Sequence, residues 1–283
     1  MEVNKFITGK TEEILKSFPE NSVDLVVSSC PYDNIRNYNK KIDGKILYNG
    51  YSFPFEEIAI QLYRVMKEGG VVVWVVGDAT IKKSETGTSF KQALFFKDIG
   101  FLIHDTMIYE KNGPSFPARR DGNRYSQVFE YMFVFSKNKP PKTANLLCDK
   151  ENRWAGHTSF GKSKYRNKDG ELIEREMKPV PSHSPRFNIW KYNTGKNYST
   201  KDDIAFNHPA IFPESLAEDH ILTWSEKGDL VLDPFSGSGT TCKMAYVNER
   251  DYIGIDMEYE YNLIAEQRIK NAKIVKNHLK LTF

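Results

Sequence analysis

Hydrophobic positions along the chain change their period several times, and each change marks an element. Residues 23–28, Val-Asp-Leu-Val-Val-Ser, read as a buried strand that stops at Cys30-Pro31, because proline has no N–H to give to a ladder. From 55 to 67 the apolar residues Phe55, Ile58, Ala59, Leu62, Val65 and Met66 fall on one helical stripe, and the pair Gly69-Gly70 closes it. Residues 71–76 are apolar on both faces, as a strand inside a parallel sheet requires. A helix over about 89–97 and strands near 102–109 and 129–135 follow. After residue 203 the alternation resumes: a helix over 213–224, a strand at 230–232, a glycine-rich turn, a helix through Tyr246, a strand at 252–255 and a last helix from about 259 to 276. Strands alternating with helices predict an α/β fold.

Between 137 and 201 the pattern lapses into Lys, Asn, Ser, Gly and Pro with scattered aromatics such as Trp154, Phe160, Tyr165, Trp190 and Tyr192. Charge sharpens the contrast. The net charge of the 283 residues is only +3, but residues 137–201 carry 15 Lys and Arg against 6 Asp and Glu, whereas the rest carries 25 against 31. A basic insert in an acidic frame suits a module that faces phosphates, the bland alternative being a solvated insert without function. The chain therefore divides into 1–136, 137–201 and 202–283, one α/β domain written in two pieces around a smaller region. A content of 40% hydrophobic and 27% charged residues excludes collagen-like and wholly disordered chains. The longest apolar run, residues 71–76, is far short of the roughly 20 residues that cross a bilayer. No signal-peptide pattern opens the chain, and the three cysteines lack C-x-x-C spacing, so an intracellular, reducing setting without a metal site is expected.

The strongest chemical signal is Asp233-Pro234-Phe235-Ser236-Gly237-Ser238-Gly239-Thr240-Thr241, where a buried strand leads through two glycines into a helix. Such a turn lets backbone approach a ligand at the carboxyl end of a sheet. A phosphate-binding loop needs Lys before the Ser/Thr, and a dinucleotide fingerprint needs glycine where Cys242 stands. An adenosine-type cofactor without a pyrophosphate needs neither, and Asp256, at the end of the next strand, is placed to accept hydrogen bonds from both ribose hydroxyls. A purely structural turn is the fourth reading.

Ser29-Cys30-Pro31-Tyr32 follows the first buried strand directly. A Ser hydroxyl and the Cys30 carbonyl can accept from an amino group on a flat ring, Pro31 fixes the turn, and Tyr32 can stack on an extruded base. Plain strand-to-turn punctuation is the alternative. His208 has no companion at ligand spacing and reads as structural rather than metal-binding. Asp78 either orients the pocket or caps the next segment, and Glu130 with Lys111 reads as a structural pair on neighbouring strands.

In this order, the early tetrapeptide and the late Asp-Pro-Phe-Ser-Gly-Ser-Gly-Thr motif resemble the β group of DNA amino-methyltransferases. The likeness covers nearly all of the chain outside 137–201, and includes Asn207-His208-Pro209, which resembles the segment that helps close the cofactor site. The resemblance implies a Rossmann-like S-adenosylmethionine-dependent methyltransferase sheet with helices on both faces, plus a small basic target-recognition insert. It implies transfer of a methyl group to an exocyclic amine of a flipped-out base in double-stranded DNA, with Ser29, Cys30, Pro31 and Tyr32 catalytic. Asp233, Pro234, Phe235, Ser236, Gly237, Ser238, Gly239, Thr240, Asp256, His208 and Pro209 would line the cofactor. A leading Ser favours N-4 of cytosine, the competing reading being N-6 of adenine; a silent DNA-binding protein and an RNA or protein methyltransferase are the remoter rivals. Arg119, Arg120, Lys162, Lys164, Arg166 and Lys168 are the candidate DNA contacts. The family setting implies a cytoplasmic bacterial, archaeal or phage protein with no membrane association, a homodimer and a cognate restriction endonuclease as candidate partners. Two departures stand out: Cys30 where the family usually has proline, and Gly9-Lys10 where it often has Gly-Asp. Cysteine chemistry is not implied, since carbon-5 cytosine enzymes use the order Pro-Cys and this chain has Cys30-Pro31.

Overall fold

The computed structural model describes residues 1–31, 41–42, 45–46, 53–113, 124–158, 164–174 and 178–281, with backbone alone at 41–42, 45–46 and 277–281. In chain order the main elements are β1 (Lys5–Thr8), β2 (Val23–Ser29), α1 (Phe55–Val65), β3 (Met66–Val76), α2 (Thr88–Asp98), β4 (Phe101–Lys111), β5 (Phe129–Lys137), β6 (Ile189–Tyr192), α3 (Glu214–Trp224), β7 (Leu230–Asp233), α4 (Thr240–Val247), β8 (Asp251–Asp256) and α5 (Tyr259–Leu281). The eight strands form one sheet in the order β1-β8-β7-β2-β3-β5-β4-β6. Only β5 runs against its neighbours, so the other strands end along one edge, at Thr8, Ser29, Val76, Lys111, Tyr192, Asp233 and Asp256. Open α/β sheets bind ligands outside that edge.

Alternation along the strands supplies a core on each face. Val26, Val72, Trp74, Val76, Leu232, Ile253 and Ile255 pack with Ile58, Ala59, Leu62 and Val65 of α1 and Ala93 and Phe96 of α2. The opposite face is covered by α3, α4 and α5; there the Thr241 hydroxyl donates to the Val27 carbonyl (3.0 Å) and His220 lies fully buried against Met132. Burial drives the His220 pKa down to about 3, so this imidazole is a neutral core group.

Three boundaries differ from the sequence expectation. The stripe over 55–67 leaves the helix at Val65, because Met66 already pairs with Val23 of β2. The pair Gly69-Gly70 is a bulge inside β3, not a helix stop: Gly69 has φ +70°, and the register jumps from Val23–Met66 to Leu25–Val71. A Cβ on Gly70 would lie 2.8 Å from the Lys67 carbonyl and 3.0 Å from that of Asp24, which excludes any side chain there. β1 and β6, four residues each, carry too few apolar positions to announce a period.

Two compact units are present, Met1–Asn145 with Asn188–Phe283, and Leu146–Phe187. The smaller one is narrower than the basic span 137–201, since Lys137 ends β5 and residues 189–192 form β6 of the large sheet. It holds two short antiparallel ribbons, Lys150–Glu151 with His183–Ser184 and Lys164–Arg166 with Leu172–Glu174, and none of its described residues is buried. Its sequence carries 9 basic against 6 acidic residues, whereas the flanks 137–145 and 188–201, part of the large unit, carry 6 basic and no acidic ones.

At the carboxyl edge Gly254 of β8 faces Phe6 of β1, where a Cβ would sit 2.5 Å from the ring and 2.9 Å from Ser236 Cβ. Gly254→Ala is expected to lower unfolding free energy by about 1–3 kcal/mol through overpacking. A urea titration would show this as a lower midpoint at constant slope; an unchanged midpoint would mean that the edge yields freely.

Candidate cofactor and catalytic site

β7 and β8 end side by side and the turn after β7 is built on both. Ser236 N–H donates to the Ile255 carbonyl (2.8 Å), Gly9 N–H to the Asp256 carbonyl (2.9 Å), and the Thr11 hydroxyl to the Pro234 carbonyl (2.6 Å). Gly237 (φ +48°) and Gly239 (φ +75°) adopt the left-handed conformation that favours glycine. Gly237 N–H donates to Asp256 Oδ2 and Glu258 N–H to Oδ1, both at 2.9 Å. His208 arrives from the segment before α3: its ring stands edge-on to Tyr261 (4.4 Å between centroids), and a Cβ on Gly237 would be 2.8 Å from its Cε1 and Nε2. Pro209 beside it is exposed. Phe235 meets Phe53 and Trp74 edge-to-face at 5.3 and 6.0 Å.

Two carboxyls at this edge titrate high. Burial pushes Asp233 up to about 6 against the opposing Ser28 hydroxyl (2.6 Å), Phe235 N–H (3.1 Å) and Thr241. Burial likewise lifts Asp256 to about 6, opposed by the backbone N–H groups of Glu258, Gly237 and Met257 and reinforced by the charge of Asp233.

Beneath the turn lies a charged network that the sequence reading did not identify. Arg268 of α5, fully buried, donates to the Ser238 carbonyl (2.7 Å), Thr240 Oγ1 (3.1 Å), Asp202 Oδ2 (2.9 Å) and Glu214 Oε1 (2.5 Å). Lys243 of α4 reaches the same Asp202 and Glu214 oxygens at 2.7 Å each. Burial alone would raise the Asp202 pKa, but the hydrogen bonds from Lys243 and Arg268 hold it below the usual carboxylate value. One signal was present in the sequence: Tyr261, Ala265, Arg268 and Ile269 share the buried stripe of α5, so an arginine stood on a core face.

The tetrapeptide begins where β2 ends. Ser29, half-buried, lies opposite Val75, and its neighbour Ser28 holds Asp233, so the two motifs are joined by a hydrogen bond. Cys30 is turned inward, with Sγ 3.6 Å from Gln92 Oε1 and 3.8 Å from the Val75 carbonyl, and Pro31 is half-buried. Tyr32, Arg119, Arg120 and Lys162 lie outside the described residues. Lys164, Arg166 and Lys168 are exposed in the small unit, where Lys164 stands opposite Glu174 and Arg166 donates to the Gly170 carbonyl (2.9 Å). Asp78 is a cap: its carboxylate takes the N–H (3.0 Å) and hydroxyl (2.5 Å) of Ser89 in the first turn of α2. Lys111 and Glu130 form an ion pair between β4 and β5.

The sequence model described as DNA methylase matches residues 23–267. This chain belongs to the β-group DNA amino-methyltransferases. It is 56% identical over 259 residues, 91% of this chain and 92% of the relative, to the orphan methyltransferase M.BamHII of Bacillus amyloliquefaciens. It is 28% identical to the type II methyltransferase M.BglII of Bacillus subtilis, over 94% of this chain and 68% of that one. Among solved structures, the cytosine-N4-specific PvuII DNA methyltransferase superposes with a TM-score of 0.66 (21% identity, 98% of this chain and 92% of that one). The M1.HpyAVI complex with S-adenosylmethionine gives 0.55 (22% identity, 93% and 98%).

The methyltransferase's cofactor is S-adenosylmethionine, and the residues at the carboxyl edge fit it. Ser236 has a buried hydroxyl with no protein partner among the described residues, and the Asp256 carboxylate has lone pairs beyond those its N–H donors use. Bound there, the cofactor supplies an electrophilic sulfonium methyl.

Asp256 accepts best when ionised. A folded-state value near 6 means that acidification below it neutralises the acceptor. Cofactor affinity, measured calorimetrically, is therefore expected to fall roughly tenfold from pH 7.5 to 5, with a midpoint near 6. Asp256→Asn should bind weakly and lose most of that pH dependence; a wild-type affinity flat across this range would remove Asp256 from the site.

Proposed function

We propose that this methyltransferase acts on N-4 of cytosine in duplex DNA, with Ser29, Cys30, Pro31 and Tyr32 as the catalytic group. The observation that carries the reading is the Ser28–Asp233 hydrogen bond, which sets Ser29 beside the cofactor turn at the carboxyl edge. Support for the base comes from Ser29 itself and from the fold shared with the PvuII enzyme, which is named as N-4-specific for cytosine.

An exocyclic amine conjugated with its ring is a poor nucleophile. The Ser29 hydroxyl and the Cys30 carbonyl accept its two hydrogens, hold it out of conjugation and turn its lone pair toward the transferable methyl, while Tyr32 supplies the stacking face. Positioning is then the main source of acceleration. Cys30 has no nucleophilic part, since its thiol is buried 3.6 Å from Gln92 rather than offered to a base.

DNA is the partner of this family, and the base must leave the stack at a cost of a few kcal/mol. Lys164, Arg166 and Lys168 of the small unit, with Lys162, Arg119 and Arg120, are the proposed phosphate and groove contacts. Residues 137–201 are accordingly proposed as the target-recognition region.

Base-resolved modification sequencing of DNA from cells expressing the protein tests the reading. N4-methylcytosine at one short motif is expected; N6-methyladenine overturns the assignment of the base, and unmodified DNA, with purified protein inert on duplex substrates, overturns the activity. Duplex affinity should also drop steeply with salt as counterions are released; a flat salt dependence would remove the basic residues from the interface.

A further inference from the structure

We infer that Gln92 is a positioning residue for methyl transfer, holding Cys30 through its side chain in place of the ring constraint that a proline at this position would supply. The inference rests on the proposed role of the Cys30 carbonyl as an acceptor of the target amino group.

Gln92 sits on the inner face of α2 and is 4% exposed. Its carboxamide oxygen takes two donors: the indole N–H of Trp74 at 2.8 Å and the thiol of Cys30 at 3.6 Å. The orientation of the amide follows from Trp74, because an indole N–H only donates and so requires the oxygen on its side. Trp74 is fully buried in the centre of β3 and packs edge-to-face on Phe96 at 5.2 Å, so it is a rigid post. α2 is rigid as well, its first turn being fastened to the end of β3 by Asp78 through Ser89. Gln92 thus joins two fixed elements to the second residue of the tetrapeptide, and that residue follows the last strand position, Ser29.

Proline at position 30 would hold φ near −65° by its ring and would need no side-chain anchor. Cysteine has no such restraint. Pro31 confines it to extended backbone, and the thiol tether into the core narrows the range further: a swing about the Cys30 backbone that moved the carbonyl would drag Sγ away from Gln92 and from the Val75 carbonyl at 3.8 Å. An apolar side chain at 92 would leave the buried indole N–H of Trp74 unpaired. Toward Cys30 the value of the amide lies in direction.

The test is a set of single-turnover methyl-transfer rates at saturating cofactor and duplex DNA, each corrected for the cofactor-binding fraction, in the full-length protein. Gln92→Met is expected to slow transfer roughly tenfold with cofactor affinity unchanged, because misaiming an acceptor by a fraction of an ångström costs about that much. Cys30→Ala, which leaves the Trp74 hydrogen bond intact, should slow it to a similar degree, and the double variant should be no slower than the slower single one. In a Cys30→Pro background Gln92→Met should cost less than about twofold, the signature of coupling between two residues. Equal costs of Gln92→Met in the Cys30 and Cys30→Pro backgrounds, additive losses in the Cys30→Ala double variant, or no loss from Gln92→Met would each overturn the inference. Where Cys30→Pro does not fold, the Cys30→Ala arm decides. Ser29→Ala separates the two levels: full activity there sinks the amino-acceptor reading itself, whereas a slow Ser29→Ala beside a fast Gln92→Met sinks only the positioning role. A folded Cys30→Ala protein with no transfer at all would instead point to a nucleophilic thiol.

Discussion

A guanidinium sealed from water has to satisfy its donors inside the protein, and Arg268 does this with groups drawn from three separate stretches of chain. The Ser238 carbonyl and Thr240 hydroxyl belong to the glycine-rich turn after β7, Glu214 to the start of α3, and Asp202 to the segment that leads to His208. Lys243 adds a second cation on the same two carboxylates. Breaking a buried ion network by removing one partner costs on the order of 3–5 kcal/mol, far more than an exposed pair. The shape of the turn, the placement of α3 against α4 and the approach of His208 to Gly237 therefore stand or fall together. Glycine at 237 is part of the same constraint, since any Cβ there would meet the imidazole that the network brings in.

With that corner fixed, the sheet does the rest. Strands β8, β7, β2 and β3 run parallel as neighbours, so Asp256, Asp233, Ser29 and Val76 come to one edge in a row without any long loop having to carry them there. The Ser28–Asp233 bond crosses the seam between the strand that leads into the glycine-rich turn and the strand that leads into the tetrapeptide. The reversed strand β5 begins at this edge with Phe129 and Glu130, and the pairing of Glu130 with Lys111 closes the row on the far side. Asp78 belongs to this frame rather than to the chemistry, because both of its oxygens are engaged by Ser89.

Most of this was legible because it is periodic. The strands read at 23–28, 71–76 and 230–232 and the helices over 89–97 and 213–224 come straight from runs and stripes of apolar residues, and the two motifs lie where strand meets turn. What escaped was whatever depends on long-range pairing. β1 is held by register with β8 across nearly the whole chain, and β6 by pairing with β4, so neither needs a strong local pattern. The helix ending at Gly69-Gly70 was misread because glycine pairs close helices and open bulges alike, and only the partner strand β2 decides. Arg268, Asp202, Glu214 and Lys243 escaped because charge on a sequence reads as surface until its partners are known. The basic span 137–201 was legible as composition but not as structure: its surplus is concentrated in flanks that belong to the large unit, and one flank lysine, Lys137, is a buried post that donates to Asn21 and the Met66 carbonyl at 2.9 Å.

The two carboxyls at this edge are held at a cost. Asp233 and Asp256 both have folded-state pKa values near 6, above the ordinary carboxylate value. A carboxyl raised in this way binds its proton more readily in the folded chain than in the unfolded one, so between about pH 4 and 6 the folded state holds more protons and stability falls as the pH rises. Above pH 6 both groups are ionised in a place that disfavours their charge. A core designed for stability alone would carry neither. Donors added on the remaining lone pairs of Asp256 would favour the ionised form and pull its pKa back down. Arg268 and its carboxylates supply the rigidity that lets the edge keep this unfavourable charge in place instead of collapsing to protect it.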